Sequence, residues 1–265
     1  MTRTVVLTGA SDGIGAAAAA RLAADHRLVL VGRNPDKTHA VAERVGADAV
    51  FVADFAVLDQ VRELAARIAE RYDRIDVLAN NAGGLFSGPT ITGDGVELTF
   101  QVNHLAPFLL TELLRPRFTP DTAVVNTSSI AARLFSSFRV EDLDTSRRYR
   151  PERAYGNAKL ANILHTKGLH ARGIRSVAFH PGNVATSFAS DTTSPLRWVY
   201  TTVLNRSLIT PEAGGSTLEF FIRSDAWTSG EYYGSAHKPG RTSRKAADPA
   251  LAEQLWTGSE RLLGR

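Results

Sequence analysis

Tyr155 and Lys159 stand four residues apart, a spacing that places both side chains on one face of a helix. A phenol of ordinary pKa near 10 can give a proton to an oxygen but is a poor base at neutral pH. A neighbouring ammonium favours the phenolate, so that one side chain can both give and take the proton. Reduction of a carbonyl needs such a group beside the oxygen while hydride reaches the carbon. No other tyrosine has a lysine at this spacing. Tyr149 has Arg153 instead, with Pro151 between them to spoil the helical register.

A second pattern suits phosphate. Val5-Val6-Leu7-Thr8 reads as a buried strand, Gly9-Ala10-Ser11-Asp12-Gly13-Ile14-Gly15 as a glycine turn, and the alanine run after it as a helix. Gly9 can take the tight turn, and Gly13 lets backbone approach a pyrophosphate. Gly15 allows close packing of helix on strand, with the phosphate at the helix N-terminus.

The elements that must position these groups follow from the apolar pattern. Short, nearly uninterrupted apolar runs at Thr4–Leu7, Leu28–Val31, Ala49–Ala53, Val77–Asn80, Ala123–Asn126 and Ser176–Phe179 predict strands buried on both faces. Amphipathic stretches lie between them; Val57, Leu58, Val61, Leu64, Ala65 and Ile68 form one helical stripe. Thr210-Pro211-Glu212 and Asp248-Pro249 read as helix entries. The fold class expected is α/β: a single-domain, Rossmann-type doubly wound parallel sheet over 1–265 with helices on both faces. Two stretches leave the alternation. Residues 133–153 hold six arginines and four acids without periodicity and read as an exposed excursion. Residues 187–210 mix Ser, Thr and Asp with Trp198, Val199 and Tyr200.

Composition bounds the rest. The 265 residues include no cysteine, which excludes disulfides, thiolate metal sites and cysteine nucleophiles. A net charge of +4, with no basic cluster interleaved with aromatics, gives no ground for a nucleic-acid partner. No apolar run reaches the length of a membrane helix, and a cytoplasmic location is expected. The seven histidines lack paired metal-ligand spacing, so no metal is expected; His165 and His170, five apart, read as surface residues.

Six landmarks in order resemble the short-chain dehydrogenase/reductase family. They are Thr8-Gly9-x3-Gly13-x-Gly15, Asn80-Asn81-Ala82-Gly83, Asn103 in Phe-Gln-Val-Asn-His-Leu, Ser129 after the fifth strand, Tyr155-x3-Lys159, and Pro181-Gly182-x-Val184-x-Thr186. Asn103-His104-Leu105, Lys159–Leu164, His180-Pro181-Gly182 and the tail over 248–256 look most like the retinol-dehydrogenase and WW-domain-oxidoreductase branch. The 26-residue interval from Ser129 to Tyr155 fits that branch, whereas the sequence shows no N-terminal membrane helix.

The resemblance implies a catalytic set of Asn103, Ser129, Tyr155 and Lys159. Ser129 is preferred over Ser128 because a small apolar pair, Ile130-Ala131, follows it. Pro107 lacks an N–H for the carbonyl of Asn103; it either frees that carbonyl for a water or merely kinks the helix. The cofactor-binding set implied is Gly9, Ser11, Gly13, Ile14, Gly15, Arg33, Asp54, Asn80, Ala82, Gly83, Tyr155, Lys159, Pro181, Gly182, Val184 and Thr186. Gly32 stands where NAD-specific relatives carry an acid, and Arg33 could pair with a 2′-phosphate, so NADP(H) is expected over NAD(H). Asp12 counts against that, since its charge repels phosphate. Asp54 reads as an adenine contact or as a helix N-cap. Residues 187–210 resemble a substrate lid in which Phe188, Leu196, Trp198 and Tyr200 wall an apolar pocket, or else serve as core or contact residues. The expected activity is interconversion of a lipophilic small-molecule carbonyl and its alcohol, by a monomer or a homo-oligomer; a non-catalytic NADP(H)-sensing module on the same fold is the alternative.

Overall fold

The computed structural model describes residues 2–184 and 208–265. Seven parallel strands form one sheet: β1 (Arg3–Thr8), β2 (His26–Gly32), β3 (Ala49–Val52), β4 (Ile75–Asn80), β5 (Phe118–Thr127), β6 (Arg175–Phe179) and, by position, a terminal pair Tyr232–Tyr233. Their spatial order is β3-β2-β1-β4-β5-β6 followed by Tyr232–Tyr233. All six expected strands are present. The seventh has two residues, too few to display a period. A separate parallel pair joins β7 (Asn183–Val184) to β8 (Leu208–Ile209), which makes Tyr232–Tyr233 β9 in chain order.

The uninterrupted apolar runs arise because alternate residues feed opposite faces. Val6, Val29, Val31, Leu78 and Val124 join one buried cluster, with Ile68, Phe108, Leu164 and Trp256 from the helices. Val5, Leu7, Leu28, Leu30, Val77 and Val125 join the other, with Ala18, Leu22, Val41 and Phe221. The first face carries α3 (Leu58–Arg71), a short α4 (Leu98–Phe100) continuing into α5 (Ala106–Leu114), and α7 (Pro151–Ala171), which follows a single-turn α6 (Ala131–Leu134). The second carries α1 (Gly13–Leu22), α2 (Pro35–Val45) and α8 (Pro211–Arg223). The last helix, α9 (Pro249–Leu262), packs on α7; a Cβ at Gly168 would come 2.8 Å from the Trp256 ring, so the two helices meet closely.

Two expectations need correction. The 133–153 stretch is not simply exposed. Phe138, Leu143 and Thr145 are buried, and Leu143 lies against Gly258 of α9. Its apolar residues are spaced irregularly because they dock on a helix more than a hundred residues later, and local periodicity cannot reveal that. His165 is likewise buried, with its ring 5.1 Å from Phe108 and 5.7 Å from Trp256, because α9 covers that face of α7; His170 is exposed as expected. Burial pushes the His165 imidazole well below its usual pKa.

Candidate active site

A cleft of about 400 Å³ opens along the carboxyl ends of β1 to β6. Each strand contributes residues at or just after its carboxyl end: Gly9 and 11–15, 31–34 with Lys37, 53–55, 81–86, 127–129 and 181–182. This is the crevice that a reversal of strand order between β1 and β4 creates in an open parallel sheet.

The glycine turn is tight for identifiable reasons. Gly9 has φ 66° and Gly13 φ 55°, left-handed values that side chains disfavour. A Cβ at Gly9 would lie 2.8 Å from the Ala82 backbone, and one at Gly15 would overlap the Gly9 carbonyl. Asp12 caps α1 by accepting the Gly13 N–H at 2.7 Å. Asn81 ties the turn to the end of β4, donating to the Thr8 carbonyl at 3.0 Å and the Gly9 carbonyl at 3.3 Å. A glycine turn that leads into a helix N-terminus at the cleft suits a pyrophosphate.

At the other end, Tyr155 and Lys159 lie together on α7, both lining the cleft and both nearly buried. The Lys159 ammonium is 5.5 Å from the centre of the Tyr155 ring and donates to the Thr127 carbonyl at 3.3 Å. Burial pushes it down to about 7. Ser129 lines the same wall and accepts the Ala131 N–H at 3.2 Å. Ser128 is buried, and its hydroxyl is spent on the Lys159 carbonyl at 2.7 Å. Leu85, Phe86 and Val102 supply an apolar side to this end.

Asn103 sits behind the wall rather than on it. Its Nδ2 donates to the Thr99 and Gly84 carbonyls, both at 2.8 Å, and its Oδ1 accepts the Gly84 N–H at 3.2 Å. A Cβ on Gly83 would come within 2.5 Å of that Oδ1 and 3.1 Å of the Lys159 ammonium, so glycine alone fits there. Around Asn103 the helix widens into a π-turn over Gln101–Leu105, with the Ala106 N–H reaching the Gln101 carbonyl.

The other implied residues divide. Ser11, Ile14, Arg33, Asp54, Ala82, Pro181 and Gly182 line the cleft. Asp54 accepts the Ala56 N–H in a local turn, whereas Val57 is the residue before α3, so its carboxylate is not that helix's cap. Asn80 does not line the cleft; it is buried and holds β4 to its neighbours by donating to Thr111 and Asn126, both at 3.0 Å. Val184 lies on β7. Thr186, Phe188, Leu196, Trp198 and Tyr200 lie outside the described residues.

Lys37 is a lining residue the sequence reading passed over. Asn34 caps α2 and Pro35 opens it, which puts Lys37 on the first turn beside Arg33. The cap signal was readable, and with it the direction of that turn. Lys37 pairs with Asp12 at 3.1 Å.

Residues 3–141 match the family model described as short chain dehydrogenase. The chain belongs to the short-chain dehydrogenase/reductase family. Among its relatives is a Streptomyces sp. (strain C5) protein provisionally named a daunorubicin C-13 ketoreductase, 39% identical over 99% of this chain and 93% of its own. Human retinol dehydrogenase 13 is 32% identical over 99% of this chain and 85% of its own. A short-chain dehydrogenase from Burkholderia cenocepacia J2315 in complex with NADP superposes with a TM-score of 0.69 at 25% identity, covering 88% of this chain and 95% of that one. Family membership makes this short-chain dehydrogenase/reductase an oxidoreductase acting between CH–OH and C=O groups. Among the described residues no helix is long and apolar enough to cross a membrane.

Proposed function

We propose that the chain reduces a lipophilic ketone or aldehyde with NADPH, or oxidises the corresponding alcohol with NADP. The observation that carries this reading is the convergence of Tyr155, Lys159 and Ser129 at one end of a cleft whose other end holds the glycine turn and the cations Arg33 and Lys37. The bound nicotinamide supplies or accepts the hydride. The Tyr155 hydroxyl gives its proton to the carbonyl oxygen in reduction and takes it back in oxidation. Lys159 favours the phenolate by its charge, and Ser129 holds the substrate oxygen against Tyr155. Asn103 keeps the Gly83-Gly84 strip in place. With NADP(H) bound, Ser11, Gly13 and Ile14 would hold the pyrophosphate, Asp54 the adenine, and Pro181, Gly182 and Val184 the nicotinamide.

Two features support NADP(H) over NAD(H). A Cβ at Gly32 would overlap the Thr38 hydroxyl and lie 3.0 Å from the Ser11 Cβ, so the acid that would hold a ribose 2′-hydroxyl there has no room. Lys37 neutralises Asp12 and leaves the pocket floor able to take a 2′-phosphate beside Arg33. The apolar side made by Leu85, Phe86 and Val102 supports a lipophilic substrate, as do relatives named for a C-13 ketone and for retinol.

The test is consumption of NADPH across a panel of hydrophobic aldehydes, ketones and quinones, with Tyr155→Phe as control. Turnover that falls about 10²–10⁴-fold in the variant, with NADPH binding unchanged, is the expected result. Equal turnover in both proteins, or NADPH binding with no turnover of any member, overturns the reading.

A further inference from the structure

A second cavity, of about 150 Å³, shares no lining residue with the cleft. Three guanidinium-bearing residues line it: Arg139 and Arg148 from the segment after α6, and Arg153 from the first turn of α7. Among the described residues none of the three forms an ion pair. The Arg153 guanidinium is held in place by donating to the Arg148 carbonyl at 3.0 Å. Asp142 also lines the cavity, but one of its oxygens is occupied by the Arg147 backbone N–H at 3.1 Å. The cavity is therefore lined by three arginines, of which Arg139 and Arg148 are exposed, against the single carboxylate of Asp142.

The polar part of this wall is built and buried. Asn157 is only 2% exposed; its Oδ1 accepts the Ser137 N–H and its Nδ2 donates to the Thr145 hydroxyl, each at 2.8 Å. Thr145 thus serves as acceptor there, and its own O–H hydrogen has no acceptor among the described residues. Thr145 also has φ 66°, a left-handed conformation unfavourable to a β-branched residue, fixed by its N–H to the Asp142 carbonyl at 3.0 Å. Local strain of that kind persists only where the surroundings hold it.

The geometry points to a binding site for a small free oxyanion of the phosphate class. Planar guanidinium forks present paired donors that match the oxygens of such an ion, and a bound anion would offset the like charge of the three arginines that line one cavity. The cavity suits one tetrahedral ion and is too small for a nucleotide. An ion bound there would join the 137–148 segment to α7. Tyr149, next in that segment, donates to the Phe86 carbonyl at 3.3 Å, so the same segment also braces the apolar side of the cleft.

The test is thermal unfolding of the full chain, saturated with NADPH so that the cleft's own phosphate positions are filled, against inorganic phosphate, with potassium chloride at matched ionic strength. A ligand that binds only the folded state raises the midpoint by mass action. Phosphate is expected to raise it beyond the chloride control, with affinity falling about tenfold or more in an Arg139→Gln, Arg148→Gln double variant. Equal phosphate effects in the two proteins, or none beyond chloride, overturn the site. Amide shifts in the unsubstituted protein give the same decision without a variant. Phosphate-dependent shifts at Ser137, Thr145 and Arg148 are expected, and shifts confined to Arg33 and Lys37 overturn the site.

Discussion

The Lys159 ammonium lies 3.3 Å from the Thr127 carbonyl oxygen at the carboxyl end of β5, and no carboxylate forms an ion pair with it among the described residues. One carbonyl dipole, shared with the Asn162 amide at 3.1 Å, offsets little of the cost of burying a charge. That cost is why burial pushes the lysine down to about 7. The charge proposed to act on Tyr155 is thus held at the expense of stability.

Replacing this lysine with a neutral side chain of similar length should therefore stabilise the protein while ending turnover. Lys159→Met is expected to add about 1–2 kcal/mol at pH 6. The folded pKa lies below that of the unfolded chain, so the unfolded chain binds more protons between about 7 and about 10. The unsubstituted protein gains stability as pH rises through that window. The advantage of the variant is then full below pH 7 and fades above about 10. Urea unfolding of the cofactor-free proteins at several pH values measures it, and an advantage independent of pH would contradict the account.

Glu97 gives a pH dependence of opposite direction. It is buried before α4, where its carboxylate accepts the Thr99 N–H, the Thr99 hydroxyl and the Phe100 N–H, each at 2.9 Å. Burial outweighs these bonds and pushes the carboxyl up to about 7, with the nearby Asp144 adding a smaller push. The folded state therefore holds a proton that the unfolded state releases between about 4.5 and 7. Stability from this group is present below that window and is lost as pH rises through it. Glu97→Gln should flatten the change in unfolding free energy between pH 5 and pH 7.5. Parallel pH curves for the two proteins would show that Glu97 does not titrate there.

Legibility followed the range of the interactions. The six longer strands, the glycine turn and the Tyr155–Lys159 pair are local patterns of period or spacing, and each appears where the sequence placed it. Ser128 and Ser129 are adjacent and chemically identical. What separates them is the Lys159 carbonyl, 31 residues on, that occupies Ser128. His165 reads as polar until α9 is laid over it. Asn80 belongs to a family motif beside the cleft, yet its side chain turns into a sheet-spanning set of amides and hydroxyls, because β5 brings Asn126 opposite it. Lys37 lay within reach, since Asn34-Pro35 announces the helix whose first turn carries it.

The Lys37–Asp12 pair allows the cofactor preference to be separated into its charges. Arg33→Ala removes a donor for a 2′-phosphate and should weaken NADPH by about 10–100-fold while leaving NADH nearly unchanged, since charge-assisted bonds contribute about 1.5–3 kcal/mol each. Lys37→Ala should do more than remove a cation, because it also takes the lysine's charge away from the Asp12 carboxylate 3.1 Å from it. Asp12→Asn in that background should therefore recover part of the NADPH affinity, whereas in the unsubstituted protein, where Lys37 already neutralises Asp12, it should change little. The coupling is read from a double-mutant cycle on NADPH and NADH dissociation constants. An additive cycle would mean that Lys37 acts on the phosphate alone. Equal losses for both nicotinamides would mean that neither Arg33 nor Lys37 reads the 2′ position.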